Sequence, residues 1–147
     1  MPIEGEYEPG VWKFAADQVA QYEATGGAEG STLQGKPTVI LTTRGRRSGK
    51  VRKTPLMRVE HDGAYAVVAS MGGAPKHPVW YLNLLASPAV ELQDGPRVYE
   101  MRARDVHGDE KTRWWARAVD AWPAYADYQA RTDRVIPVVV LEPARSS

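Results

Sequence analysis

Two aspartate–glycine pairs, Asp62-Gly63 and Asp94-Gly95, each stand between two segments of strand-forming residues. An Asp-Gly pair readily adopts the positive φ angles of a tight hairpin turn, so the sequence predicts two antiparallel hairpins. Pro137 favours an edge strand or a bulge in the last strand of the chain. In all, six strands are expected, over residues 38–43, 54–61, 64–70, 89–93, 97–106 and 134–141.

Helices are expected at fewer positions. Apolar residues recur at helical spacing, and Pro78 and Pro123 suit the first turn of a helix, so helices are predicted from about Pro9 to Thr25, over VWYLNLLA after Pro78, from Asp109 to Ala121 and from Pro123 through Gln129. Trp114 and Trp115 are expected in the core. Because helices interrupt the strands at only three places, the fold class is expected to be α+β and largely antiparallel, a small barrel or half-barrel with peripheral helices. The 147 residues suit a single domain over 1–147.

Several kinds of chemistry are excluded by motifs that fail. The sequence has 0 cysteines, so thiol nucleophiles, disulfides and iron–sulfur clusters are not expected. Its 3 histidines lack metal-ligand spacing, so no metal site is expected. GRRSGK fails the P-loop pattern because Val51 follows Lys50 where Ser or Thr is needed, and GGAEG lacks the spacing of a dinucleotide-binding turn. Any electron transfer must therefore depend on a bound cofactor.

The sequence also predicts where the protein resides. The longest apolar run, from Val135 to Leu141, is far shorter than the ~18 residues that suggest a membrane span. The first residues, MPIEGEYEPG, are acidic, whereas a signal peptide begins with basic and then apolar residues. A cytoplasmic protein is expected, and peripheral association of the N-terminal helix with a membrane stays open.

A basic segment from Arg44 to Lys53 (RGRRSGKVRK) connects the first two predicted strands. It holds six cationic side chains and no acid, and without it the remaining chain has 13 basic and 18 acidic residues, a net charge of −5. This asymmetry favours a polyanionic partner, since guanidinium groups bind phosphate and carboxylate groups with two hydrogen bonds. Charge alone equally allows a solvated hairpin, a targeting segment or a nucleic-acid-binding patch, although the segment has no aromatic residue for stacking on bases.

A second candidate site follows the strand over 64–70. The small residues Ser70-Met71-Gly72-Gly73-Ala74 allow a ligand to approach the main chain closely, and Trp80 and Tyr81 begin the next helix. A planar ring between the strand end and Trp80, with an anionic tail in the basic segment, would use both features together.

These motifs resemble the deazaflavin-dependent nitroreductase family of actinobacterial oxidoreductases, which use coenzyme F420. The resemblance extends from about Val39 to Pro143 through LTTRGRRSGKVRKTPL, AVVASMGGAPKHPVWYLNL and YADYQARTDRVIPVVVLEP. It implies a split β-barrel like that of flavin-binding oxidases and a cofactor whose phosphate and oligoglutamate tail is strongly anionic. Flavin mononucleotide in the same barrel is the alternative cofactor, although its single phosphate needs fewer cations.

The resemblance also implies roles for individual residues. The phosphate and tail ligands are expected to be Arg46, Arg47, Ser48 and Arg52. The strand that lines the cofactor is expected to be Lys53, Thr54, Pro55, Leu56 and Met57. The deazaflavin ring is expected to contact Val68, Ala69, Ser70 and Met71, and to be covered by Val79, Trp80, Tyr81, Leu82 and Asn83.

The substrate pocket is expected to contain Trp122, Tyr125 and Tyr128, whose three-residue spacing keeps them on one helical face. Ser70, Tyr125 and Tyr128 are the candidate catalytic residues, and Tyr125 would also contact the cofactor. Some nitroimidazole-reducing relatives have tyrosine where this chain has Met57 and Trp122, so the acceptor is expected to differ. Alternatively, Trp80, Trp122 and the tyrosines only fill the core, Ser70 only ends a strand, and Arg134 with its charged neighbours is solvated or structural.

The sequence therefore predicts an oxidoreductase that transfers a hydride from reduced F420 to a conjugated, electron-poor small molecule, either quinone-like or nitroaromatic. Two alternatives stay open: a non-catalytic deazaflavin carrier, and a nucleic-acid-binding module that uses residues 44–53. No nucleic-acid partner is expected under the leading hypothesis.

Overall fold

The fold is described from a computed structural model over residues 13–26, 32–33, 36–45, 50–70 and 77–144. The helices are α1 Lys13–Thr25, α2 Val79–Ala86, α3 Gly108–Ala121 and α4 Ala124–Ala130. The strands are β1 Thr32–Leu33, β2 Lys36–Arg44, β3 Val51–Met57, β4 Glu60–His61, β5 Ala64–Val68, β6 Ala89–Asp94, β7 Arg97–Asp105 and β8 Val138–Pro143. The start predicted for the first helix, residues 9–12, lies outside the described residues. Within those residues, no helix has the length and apolarity needed to cross a bilayer.

The strands form an antiparallel sheet that closes on itself. The order of pairing is β1-β2-β6-β7-β8-β5-β4, and β3 pairs with β2. Only Arg58 and Val59 separate β3 from β4. The Arg58 amide donates to the Pro37 carbonyl oxygen (3.0 Å), and the Val59 carbonyl oxygen accepts from the Ala66 amide (2.8 Å). The segment from β3 to β4 is thus one bent strand between β2 and β5, which closes the barrel and confirms the expected split-barrel fold.

Both predicted hairpins are present. The first turn has the predicted central residues, whereas the second turn is shifted by one residue from the predicted Asp94-Gly95. Asp62 and Gly63 have φ angles of 53° and 82°, as a turn with two positive φ angles requires. In the second hairpin Asp94 pairs with Arg97, so the central turn residues are Gly95 and Pro96. Gly95 supplies the positive φ of 62°, and the fixed negative φ of proline suits the next position.

The prediction that Pro137 marks an edge strand or a bulge is wrong, as the position of strand β8 shows. The strand pairs with both β5 and β7, so it is central, whereas an edge strand or bulge was predicted. Pro137 lies one residue before the strand, where the missing amide costs no ladder hydrogen bond. Its carbonyl oxygen accepts a hydrogen bond from the Ala69 amide (3.0 Å).

The apolar side chains of the described residues form two main clusters, because neighbouring residues of a strand point to opposite faces. The cluster on one face includes Val67 and Leu141 together with Trp80 and Tyr81 of α2. Val68 belongs to the cluster on the other face, beside Trp114 of α3. The prediction that Trp114 and Trp115 are core residues is confirmed, since Trp114 is buried and Trp115 packs against the same cluster. A third, small cluster joins Val19 and Tyr22 of α1 to Ile40 of β2.

Candidate functional site

A cavity of about 260 Å³ lies where β3, the end of β5, the start of α2 and the helix α4 meet. All but one of its lining residues belong to the cofactor and substrate-pocket groups predicted from the sequence. The lining residues are Pro55, Leu56, Met57, Val68, Ser70, Pro78, Trp80, Trp122, Tyr125 and Tyr128. Segments that are up to 73 positions apart in the sequence, from Pro55 to Tyr128, thus contribute to one cavity.

One wall of the cavity is aromatic. Tyr125 is buried, and its ring centroid lies 6.1 Å from that of Tyr128 at an interplanar angle of 76°. The Trp122 Nε1 donates to the Tyr128 hydroxyl over a long distance of 3.4 Å. Within the described residues the Tyr125 hydroxyl has no hydrogen-bond partner, and burial raises the pKa of this phenol. Tyr125 is therefore a neutral phenol at physiological pH.

Ser70 lines another wall of the cavity, two residues after the end of β5. The residue is buried, and its side chain makes no hydrogen bond within the described part of the chain. Its carbonyl oxygen is held by the Arg134 guanidinium, whose Nη2 donates to it at 2.7 Å. The Nη1 of Arg134 donates to the Ala69 carbonyl oxygen (3.0 Å). Sequence reasoning gave Arg134 no specific role, although it stands within the quoted motif YADYQARTDRVIPVVVLEP.

Helix α2 contributes one of its five predicted cofactor residues to the cavity lining. Trp80 lines the cavity, but Val79 is 62% exposed and is not among the lining residues. The Tyr81 hydroxyl donates to Asp105 Oδ2 (2.8 Å), and burial followed by this hydrogen bond raises the pKa of Tyr81 to about 12. Leu82 and Asn83 are not among the cavity-lining residues, and both pack into the protein instead. Because a helix turns 100° per residue, consecutive positions cannot all face one ligand.

The basic segment leads directly into the cavity along β3. The hairpin begins where the Gly45 amide donates to the Lys50 carbonyl oxygen (2.7 Å), and Arg52 pairs with Thr43 of β2. Lys53 forms an ion pair with Glu23 of α1, which offsets part of its charge. Thr54 follows on the same strand, before the cavity-lining residues. Arg46, Arg47, Ser48 and Met71, which were predicted as cofactor residues, lie outside the described residues.

These residues fit a cofactor with a planar ring and an anionic tail. The cavity volume is slightly below the ~300–1,000 Å³ of typical ligand pockets, so the elongated tail of such a cofactor would lie outside the cavity. At ~3.3 Å per residue, Arg52 lies about 13 Å from Leu56 along β3, which leaves room for a tail outside the cavity. Among the described residues, no cluster of His, Asp and Glu side chains could hold a metal ion.

Comparison with known proteins agrees with this geometry. An F420H2-dependent quinone reductase of Mycobacterium tuberculosis is 40% identical over 127 residues, which covers 83% of this chain and 85% of that protein. The solved structure of an F420-H2 dependent reductase, FDR-A, has 54% identity and a TM-score of 0.69, and it covers 72% of this chain and 94% of that one. A solved domain-swapped dimer has 48% identity and a TM-score of 0.72, covering 86% and 95%.

A family model provides the assignment. The model of the F420H2-dependent quinone reductase matches residues 14–143, which includes the basic segment and every residue that lines the cavity. This match confirms the expectation of an F420-dependent reductase and favours coenzyme F420 over flavin mononucleotide as the cofactor. The chain belongs to the F420H2-dependent quinone reductase family.

Proposed function

We propose that this enzyme transfers a hydride from reduced F420 to a planar quinone-like acceptor bound in the cavity. The observation that carries this proposal is the cavity itself, because it combines the predicted ring-binding residues with the aromatic residues predicted for the acceptor. When bound, the deazaflavin supplies the two electrons as a hydride, and the protein supplies binding, orientation and a proton.

The residues on the β3 side of the cavity would hold the ring. Pro55, Leu56 and Met57 form one side, Val68 and Ser70 the end of β5, and Trp80 the start of α2. These side chains are mostly apolar, so they exclude water from the ring and orient it through contact area. The anionic tail would follow β3 toward Arg52 and the predicted ligands Arg46, Arg47 and Ser48.

The residues of the aromatic wall would hold the acceptor against the ring. Tyr125 and Tyr128 cross at a steep angle, and the bulky Trp122 side chain beside them narrows this side of the cavity. This shape suits a planar quinone better than a compact nitroaromatic compound. Two-electron reduction of a quinone to a hydroquinone consumes one hydride and one proton, and the neutral Tyr125 phenol or the Ser70 hydroxyl can deliver that proton.

The test follows the oxidation of reduced F420 by its absorbance, without oxygen, using a soluble naphthoquinone and a bicyclic nitroimidazole as acceptors. We expect turnover with both and a higher kcat/KM with the quinone. Reduced flavin mononucleotide and NADPH should be poor donors. Tight binding of F420 without turnover of any acceptor would favour a non-catalytic carrier and contradict the proposal.

A pair of substitutions tests the location of the site. Leu56→Trp fills the cavity from the β3 side and should weaken F420 binding as well as turnover. Val98→Trp adds the same bulk at a residue of β7 that is 54% exposed, and it should leave both unchanged. Equal effects of the two substitutions would mean that the cofactor binds elsewhere.

A further inference from the structure

The Arg134 guanidinium connects the segments that form the cavity walls. It donates to the carbonyl oxygens of Ala69 (3.0 Å) and Ser70 (2.7 Å), which end the β5 segment. Its Nη1 also lies 3.0 Å from Nδ1 of His77, the residue before Pro78 at the start of α2. Arginine has only donors, so His77 must accept at Nδ1 and carry its proton on Nε2.

The backbone of Arg134 is itself fixed to α4. The Gln129 side chain donates from Nε2 to the Arg134 carbonyl oxygen (2.8 Å) and accepts at Oε1 from the Ile136 amide (2.9 Å). Gln129 is on the same helix as Tyr125 and Tyr128. Hydrogen bonds therefore connect Gln129, on the helix that carries Tyr125 and Tyr128, through Arg134 to Ser70 and to the segment that carries Trp80.

We propose that Arg134 is a positioning residue that sets the separation between the Ser70 wall and the aromatic wall. The planar guanidinium fork fixes direction as well as distance, because its N–H groups lie in one plane. Reacting atoms must be held ~3–3.5 Å apart for efficient transfer, and a ~1 Å misplacement can cost ~10²-fold in rate. This inference rests on the proposed function, since the two walls hold donor and acceptor only if hydride transfer occurs between them.

The test compares Arg134→Met and Arg134→Lys with Arg104→Met. Arg104 is a matched control because its guanidinium also bridges elements: it binds Glu110 of α3 with two hydrogen bonds of 2.7 Å and Glu142 of β8 at 3.0 Å. None of these three residues lines the cavity. Both methionine variants lose a bridging arginine, and only one of them loses it at the cavity.

For Arg134→Met we expect kcat to fall at least about tenfold, with less change in the KM for the quinone, because wall separation matters most in the transition state. Arg134→Lys should be intermediate, since an ammonium group cannot reproduce the planar fork. Arg104→Met should keep kcat within about twofold of wild type while it lowers the midpoint of thermal unfolding. Equal kcat values for Arg134→Met and Arg104→Met would overturn the proposal.

A second readout needs neither cofactor nor turnover. The Ala69 amide donates to the Pro137 carbonyl oxygen, so its hydrogen exchange reports on the strand end that Arg134 holds. Exchange should be faster in Arg134→Met and unchanged in Arg104→Met, and an unchanged rate in both would refute the inference. If wild type fails to reduce quinones but the exchange result holds, the proposed function fails while the structural role of Arg134 stands.

The contact with His77 is tested by two substitutions, each of which places a hydrogen-bond acceptor near the position of only one ring nitrogen. Asn at this position offers an oxygen close to the place of Nδ1, whereas Gln offers one close to the place of Nε2. His77→Asn should therefore keep kcat and the Ala69 exchange rate near wild type, and His77→Gln should resemble Arg134→Met in both. The opposite order would contradict a role for His77 as an acceptor for Arg134.

Discussion

Tyr125→Phe is expected to lower turnover without lowering stability. The substitution removes one hydroxyl and keeps the ring that packs against Trp115 and Tyr128 at centroid distances of 6.4 and 6.1 Å. Among the described residues this hydroxyl has no hydrogen-bond partner, so folding gains nothing from it. The hydroxyl oxygen is not one of the fully buried atoms without a partner, which within the described residues are Thr38 Oγ1 and Thr43 Oγ1, so its removal should leave the free energy of unfolding nearly unchanged.

Tyr65→Phe provides the matched control, because it removes a hydroxyl that does have a partner. The Tyr65 hydroxyl donates to Asp94 Oδ2 at 2.5 Å, and Arg58 Nε binds the same carboxylate at 3.0 and 3.1 Å. None of these residues lines the cavity. Loss of a hydrogen bond to a charged group costs about 1.5–3 kcal/mol, so the free energy of unfolding should fall by that amount. At roughly 3 °C per kcal/mol for a chain of this size, the unfolding midpoint should drop by about 5–9 °C.

The assays are urea unfolding followed by circular dichroism and steady-state oxidation of reduced F420 with a quinone. We expect Tyr125→Phe to unfold like wild type and to lose about 100-fold in kcat, the lower end of the ~10²–10⁴-fold that a positioned general acid contributes. Tyr65→Phe should show the reverse, a lower stability with an unchanged kcat. The reasoning is refuted if Tyr125→Phe keeps a wild-type kcat, or if it loses as much stability as Tyr65→Phe.

Three other predictions follow from the same contacts. Trp122→Tyr enlarges the cavity beside Tyr128 and should raise kcat/KM for a bicyclic nitroimidazole relative to a quinone, which competition between the two acceptors would reveal. Arg52→Ala should weaken F420 binding by ~1.5–3 kcal/mol if the contact to the tail is direct, and a fluorescence titration should show that loss shrinking as salt rises. The pKa of Tyr81 is raised from its ordinary value of 10.0 to about 12, so the stability that its protonated hydroxyl contributes is present below pH 10 and is lost as the pH rises toward 12. Urea unfolding from pH 9 to 11.5 should show a steeper loss for wild type than for Tyr81→Phe.

Much of the fold could be predicted because local signals and the fold agree. The Asp62-Gly63 turn, the helices and most strands follow from turn chemistry and periodicity. The exceptions are features that depend on which strands pair with each other across the sheet. Pro137 suggested an edge strand, but the chain pairs on both sides immediately after it. The closure of the barrel also depends on the bend between β3 and β4, which a sequence that reads as one continuous strand does not reveal.

The site was predictable to a different degree for side chains and for backbone groups. The spacing of Trp122, Tyr125 and Tyr128 predicts one shared face, and the cavity contains all three. Arg134 acts on the carbonyl oxygens of residues more than 60 positions away, and a carbonyl oxygen leaves no mark in a sequence. For helix α2 the sequence predicted too many site residues. Five consecutive residues were predicted to cover the ring, but Trp80 is the only one of the five in the cavity lining.

The bent strand from β3 to β4 couples the chemistry of the site to the closure of the barrel. Its first half carries Arg52 and Lys53, and its middle provides the wall from Pro55 to Met57. Its second half pairs with β5, the strand that leads to Ser70. Because all three parts share one strand register, the distance from the basic end to the cavity cannot change without a change in the pairing of β2 and β5. A one-residue insertion after Lys53 would exchange the faces of every following position, and it would therefore move Leu56 and Met57 out of their two apolar clusters as well as disturb the pairing that closes the barrel.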